Sequence, residues 1–373
     1  MRVFLYAVIG WGILFLISCG PSPVIRRDEY SLKVSPPGYC RSIIESAVIS
    51  PDSGFYKLLY NKKIKEVPDG PLLIGDKYIG FRTARGRYLF YDQDTGRLAC
   101  RIKKGRGYIL NPAVADSLIV LVRKNPLGRI EVRNLFTGKN LYELAVNDIK
   151  SGPIIIEDRL VTGTSDGLRA YTFPGLVGLW VADLKGMIDI TPIEEGGVIY
   201  CGGGRGFMAA LSLVDGSILW KRQLPSAIGS ALSIGTFLYV SLTDGTMEAI
   251  DKSSGATAWR AAVGFPIRGK IVECNGKVFA GCTNGDVYCL DLADGRQVWE
   301  YPTGSIITGS PVIDGETIFI GSHEGVLYRL DIVSGRLRGS YRLSGPVTTA
   351  AVVADGRAFV TSRGKRLYCF EVD

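Results

Sequence analysis

Apolar runs of about four to eight residues, rich in Val, Ile, Phe and Tyr, recur along most of the chain and are cut by Asp-Gly, Asn-Gly or Glu-Gly pairs. Such pairs supply the positive φ that two-residue hairpin turns need, so the pattern predicts antiparallel meanders. Thr236 to Val240 and Thr317 to Ile320 show little polar alternation. Strands of that kind are covered on both faces, as when sheets stack on neighbouring sheets. A fourth run in each unit is more polar, as in Lys221-Arg222-Gln223-Leu224, and belongs on a solvated rim.

Aligned on itself, the chain shows one repeating unit of roughly forty residues. Ser233 to Trp259, Val278 to Trp299 and Ile318 to Asp331 are its clearest copies. The glycine before the last strand recurs at Gly96, Gly138, Gly178, Gly216, Gly255, Gly295 and Gly335. Inner runs begin near Pro71, Pro112, Pro153, Pro192, Ala231, Ile271, Pro311 and Ala351, which makes eight units, while only seven polar strands follow them. A spare candidate lies upstream: Pro51 to Gly54 imitates the turn before a rim strand, and Phe55 to Tyr60 imitates the strand. Radial closure protects sheet edges better than an open stack. The expected fold is therefore all-β, an eight-bladed β-propeller of four-stranded antiparallel blades, closed by this N-terminal strand and spanning residues 51–373.

Ahead of the repeats, Arg2 precedes an apolar run from Val3 to Ile17, too short for a comfortable membrane span but suited to a signal-peptide core. It ends in Leu16-Ile17-Ser18-Cys19-Gly20, which resembles the lipobox of bacterial lipoproteins. That resemblance implies a leader over residues 1–18, cleavage before Cys19, and acylation of Cys19 so that lipid holds the protein to a membrane. Gly20, where lipoproteins of enteric type kept at the inner membrane carry Asp, favours the outer membrane, facing the periplasm. Residues 19–50 hold Pro21, Pro23, Pro36 and Pro37 and read as an extended tether.

Ala249-Ile250-Asp251 through Gly255 to Trp259 resembles the tryptophan-docking motif of the quinoprotein (PQQ-type) propeller repeat, and Leu290-Asp291 through Gly295 to Trp299 repeats it. In that family the tryptophan packs between adjacent blades near the glycine, which implies docking roles for Trp180, Trp220, Trp259 and Trp299, for Gly216, Gly255 and Gly295, and for Asp251, Asp291 and Asp331. Tyr142, Cys100 and Gly339 stand where other blades have tryptophan. A lipobox, a tether and eight such blades also resemble the propeller lipoproteins of the outer-membrane β-barrel assembly machinery. This second likeness implies a non-catalytic scaffold that binds protein partners of that machinery. A periplasmic quinone-binding propeller, including the dehydrogenases, or a polysaccharide-binding sensor remains the alternative.

The formal charge is +8, or +7 once Arg2 leaves with the leader, and no long basic run points to nucleic acid. Quinone dehydrogenases carry two adjacent cysteines, a calcium site and a catalytic Asp, and this chain has no adjacent cysteine pair. His323, the one histidine, falls in a hairpin turn and lacks the company a metal site or general base needs. Gly202 to Gly206 sits between two strands with no helix to follow, so it reads as a turn rather than a phosphate loop. Seven cysteines follow Cys19, an odd number, and Cys289 and Cys369 lie in non-adjacent blades. No metal or other cofactor is expected. Arg268 and Lys270 take inner-strand positions held in blades five, seven and eight by Ile228, Thr308 and Thr348 and by Ser230, Ser310 and Ala350, which marks them as candidate linings of a central channel.

Overall fold

The computed structural model describes residues 32–33, 57–75, 77–102, 110–115, 118–123, 128–134 and 139–372. Among the described residues every regular element is a strand. The strands form eight antiparallel sheets, and in seven of them the order across the sheet follows the chain. Blade five shows the plan: Ile228–Ile234 innermost, then Phe237–Leu242, Thr246–Asp251 and the rim strand Thr257–Ala262. Inner strands of neighbouring blades meet around the centre. The result is the eight-bladed propeller expected from the repeats.

Burial follows the sequence pattern. The two middle strands of blade five are buried on both faces, whereas its rim strand alternates exposed and half-buried positions. The core is accordingly divided into layers between blades rather than gathered at one centre. One layer joins Met247 and Ala249 of blade five to Val278 and Ala280 of blade six, and another joins Phe279 and Cys289 of blade six to Ile318 and Leu330 of blade seven. Each blade depends on its neighbour to cover its apolar faces, as in any repeat architecture.

The eighth blade consists of Val352–Ala354, Arg357–Ser362 and Arg366–Glu371, completed by Leu58–Lys63 from the other end of the chain. The ring is thus closed by an N-terminal strand, with a correction to its bounds. The strand runs from Leu58 to Lys63 instead of Phe55 to Tyr60, and residues 51–56, including the expected turn, lie outside the described residues. A register shift between Leu58 and Tyr60 sets Tyr60 opposite Cys369, which carries the strand on through Lys62 and Lys63. The layer across this seam unites Ile64, Ile79, Phe81 and Leu89 with Phe359, Leu367 and Cys369.

Leu32–Lys33, within the segment expected to be an extended tether, pairs antiparallel with Ile74 and Gly75 at the inner edge of the first sheet. Cys19 and the lipobox lie outside the described residues.

Candidate functional site

Two regions carry the residues that the sequence singles out: the seams where rim strands dock on the next blade, and the inner strands around the axis.

At each well-formed seam the rim strand opens with a bulge, as between Ala249 and Ile250 opposite Trp259 and Thr257, and the bulge turns the indole toward the next blade. Trp180 Nε1 donates to the Leu213 carbonyl at 3.0 Å, Trp220 to Lys252 at 2.8 Å, Trp259 to Leu292 at 3.1 Å and Trp299 to Ile332 at 3.1 Å. Three of the acceptors stand 33 positions beyond their donors and that of Trp220 stands 32 beyond. The rings lie on Gly216, Gly255, Gly295 and Gly335 respectively, and a Cβ on Gly255 would meet Trp220 at 2.8 Å. Gly255 also adopts φ +72, so this position excludes side chains on two grounds.

The aspartates hold the turn that presents the glycine. Asp251 Oδ1 accepts from the backbone N–H groups of Ser253 and Ser254 and from both their hydroxyls, and the hydroxyl bonds first among these hold its carboxyl down to about 2. The Lys277 ammonium beside Asp291 lowers that carboxyl. At Asp331, burial pushes the carboxyl up but is outweighed by bonds from Ser334 and Arg338. All three carboxylates thus accept backbone N–H bonds within their turns.

Three features of the seams escaped sequence reasoning. Tyr60 takes the tryptophan position on the closing strand: its hydroxyl donates to the Gln93 carbonyl at 2.8 Å, again 33 positions away, and its ring lies on Gly96. That shared offset was the available signal. In blade three, Gly178 is not the turn glycine; it pairs with Tyr171 inside the rim strand, and Leu176, at φ +58, fills the turn position. A side chain there leaves no room for an indole, which explains why the partner blade carries Tyr142, 42% exposed, in place of a docked tryptophan. Finally, Glu248 is fully buried between Arg222 of blade four and Arg260 of its own blade, at 3.2 and 2.6 Å. Its place within Thr246–Asp251, an otherwise apolar strand, marked it only as an exception.

Around the axis, the Lys270 N–H donates to Ser310 Oγ at 2.8 Å and the Ile271 N–H to Ser230 Oγ at 3.3 Å, so equivalent residues of blades five to seven form one tier. Lys270 and Arg268 are both solvent-accessible. Surrounding protein nevertheless lowers the Lys270 ammonium by desolvation. The Gly202 to Gly206 segment is the hairpin between Val198–Gly203 and Phe207–Ser212. His323 Nε2 lies 2.8 Å from Thr308 Oγ1. Cys201, Cys282, Cys289 and Cys369 are free and buried, and burial raises each thiol, that of Cys369 to about 11. Cys274 is disulfide-bonded. Among the described residues no group of three or more His, Cys, Asp or Glu could hold a metal ion.

Comparison with known proteins accords with this architecture. The family model described as outer membrane protein assembly factor BamB matches residues 178–373, just over half of the chain. The outer membrane protein assembly factor BamB of Alkalilimnicola ehrlichii is 32% identical over 123 residues, 30% of this chain and 32% of that protein. That of Yersinia pestis is 36% identical over 72 residues, 19% of this chain and 18% of that protein. The matched segments thus span a third or less of these curated relatives. Among solved structures, the computationally designed Ika8 protein aligns with TM-score 0.74 at 16% identity, and BamB from Moraxella catarrhalis with TM-score 0.67 at 17% identity. Each alignment covers 85% of this chain and 100% of the other, a likeness of fold. On the family match from the rim strand of blade three to the end of blade eight, the chain belongs to the family described as outer membrane protein assembly factor BamB.

Proposed function

We propose that this protein is a non-catalytic scaffold of outer-membrane β-barrel assembly, anchored by lipid at Cys19 after removal of residues 1–18, held off the membrane by residues 19–50 and facing the periplasm. The observation that carries the reading is the family match across residues 178–373. The site chemistry supports it. The aspartates of the repeat are engaged in turn bonds, the free thiols are buried and raised, and His323 faces a threonine hydroxyl. The disulfide at Cys274 fits an exported protein, since such bonds persist outside the cytosol. Arg268 and Lys270 are then channel-mouth cations of a binding protein rather than members of a catalytic set.

Affinity isolation from gently solubilised membranes tests the proposal. Recovery of the barrel-inserting subunit supports it. A quinone absorbance band together with dye reduction by the pure protein would overturn it in favour of the dehydrogenase reading. Replacing Cys19 by Ala should release the protein into the soluble periplasmic fraction.

A further inference from the structure

Charge is unevenly shared among the hairpins that join the second and third strands of the blades. Blades three, five and seven carry Asp166, Asp244 and Glu324 there, whereas blade eight carries Arg363 and Lys365, and blade one Arg85 and Arg87. Blade four holds a single Arg205. The two basic hairpins flank the seam that closes the ring. The Ile64 N–H donates to the Lys365 carbonyl at 2.8 Å, which sets Lys63 and Lys65 beside the blade-eight hairpin, and the Ala84 N–H donates to the Val67 carbonyl at 2.9 Å, which brings Arg85 to the same place. Lys63, Lys65, Arg85, Arg363 and Lys365 are all exposed. Among the described residues none of these five meets a carboxylate, and Glu66, the acid inside the patch, is held by Arg87 at 2.7 Å.

We infer that this patch is a docking surface for an anionic phospholipid bilayer, and that it turns the seam between blades eight and one toward the membrane. Two observations choose a lipid surface over an acidic protein. First, none of the exposed large hydrophobic residues falls within 60–67, 84–87 or 363–366. Protein interfaces place apolar and aromatic side chains at their centre and are poor in lysine, whereas three of the five cations here are lysines. Second, the pairing of Leu32–Lys33 with blade one leaves thirteen residues back to Cys19, which reach at most about 45 Å fully extended. A blade of six-residue strands is about 20 Å deep, so a lipid on Cys19 keeps either end of blade one within reach of the bilayer. The anchor supplies the hold, and the patch sets the orientation. The occupant therefore rests on the lipid anchor proposed at Cys19, and it is independent of the assembly reading.

The test is sedimentation of the whole mature chain carrying Cys19→Ala, so that no acyl chain holds it, with vesicles of phosphatidylcholine alone or with about one third phosphatidylglycerol. The protein should bind the anionic vesicles only, and release them at about 1 M salt, where charges are screened beyond about 3 Å. Lys65→Gln, Arg363→Gln and Lys365→Asn together should weaken binding about a hundredfold, the factor for three surface cations; asparagine suits the φ of +59 at Lys365. Lys63→Gln with Arg85→Gln leaves that turn untouched and should weaken binding about thirtyfold. Lys185→Gln, Arg205→Gln and Arg296→Gln remove as much charge from blades three, four and six, and should change binding little. Equal loss in this last variant overturns the inference, because net charge alone then acts. So does binding to both kinds of vesicle, or to neither, and so does capture of a polyglutamate peptide by a protein that ignores the anionic vesicles, since the occupant is then an acidic protein. Failure on vesicles while the native chain still fractionates with membranes removes the patch and leaves the anchor standing; patch-dependent binding by a chain found unacylated at Cys19 removes the anchor and leaves the patch.

Discussion

Replacing Tyr60 by Ala should open the ring at its one non-sequential seam. A fully buried aromatic covers about 150–250 Å², so the half-buried Tyr60 ring removes roughly 100 Å² from water, worth about 2.5 kcal/mol. Its bond to the Gln93 carbonyl contributes about 1 kcal/mol more. The loss should therefore be about 3.5 kcal/mol, or about 5 °C in melting temperature for a domain of this size. Tyr60→Phe keeps the ring on Gly96 and should cost only about 1 kcal/mol. Gly96→Ala acts from the other side, because its Cβ would lie 2.7 Å from the Tyr60 ring and φ is +62 there. The double variant should lose less than the two single losses together, since both break one contact. Scanning calorimetry on the mature protein measures all four. Leu59, 40% exposed on the same strand, supplies the control. If Tyr60→Ala destabilises no more than Leu59→Ala, the seam does not lock the ring and the closure argument fails.

Other expectations concern the remaining seams and ionisable groups. Glu248→Ala should cost about 3 kcal/mol in urea unfolding, because Arg222 and Arg260 lose the buried carboxylate they share. Leu176→Gly should destabilise the protein despite relieving its positive φ, since a side chain only 5% exposed is lost, and Tyr142→Trp added to it should restore part of that loss by creating a docked seam. Asp251, Asp291 and Asp331 all have carboxyls lowered in the fold, Asp251 to about 2. A depressed carboxyl contributes stability that is complete above its unfolded value and lost as pH falls through its folded one, so acid unfolding should set in below about pH 4 and steepen toward pH 2. Asp251→Asn should flatten that profile. Cys201, Cys282, Cys289 and Cys369 should resist alkylation at pH 8 in the native protein and react fully in denaturant.

The sequence was most legible where each repeat is locally consistent. Asp-Lys-Ser-Ser-Gly at Asp251 to Gly255 names its own turn, and Trp259 names its seam, because turn chemistry and aromatic burial act within a few residues. Legibility failed where the partner comes from elsewhere in the chain. Tyr60 looks like an ordinary strand tyrosine until Gly96 and Gln93 are placed beside it, and the bulge after Leu58 moved the strand bounds that hydropathy alone suggested. It failed again at Gly178, where the presence of any glycine satisfied the repeat although Leu176 occupies the turn. Glu248 was invisible for the same reason: its two arginines lie 26 residues before and 12 residues after it.

The two irregular blades point to how a rigid ring can carry a variable surface. The cores between blades are continuous and bury the middle strands, so stability is shared around the ring and one imperfect seam is tolerated. Blade three uses that tolerance. Leu176 takes the place of the turn glycine, blade two carries Tyr142 in place of the tryptophan, and the rim strand of blade three holds its one charge, Asp183, at its last residue. If the buried layers between blades carry the stability, Leu179→Lys and Val181→Lys together should leave the melting temperature unchanged, because both side chains are exposed on the rim outside those layers, and a fall of several degrees would refute it.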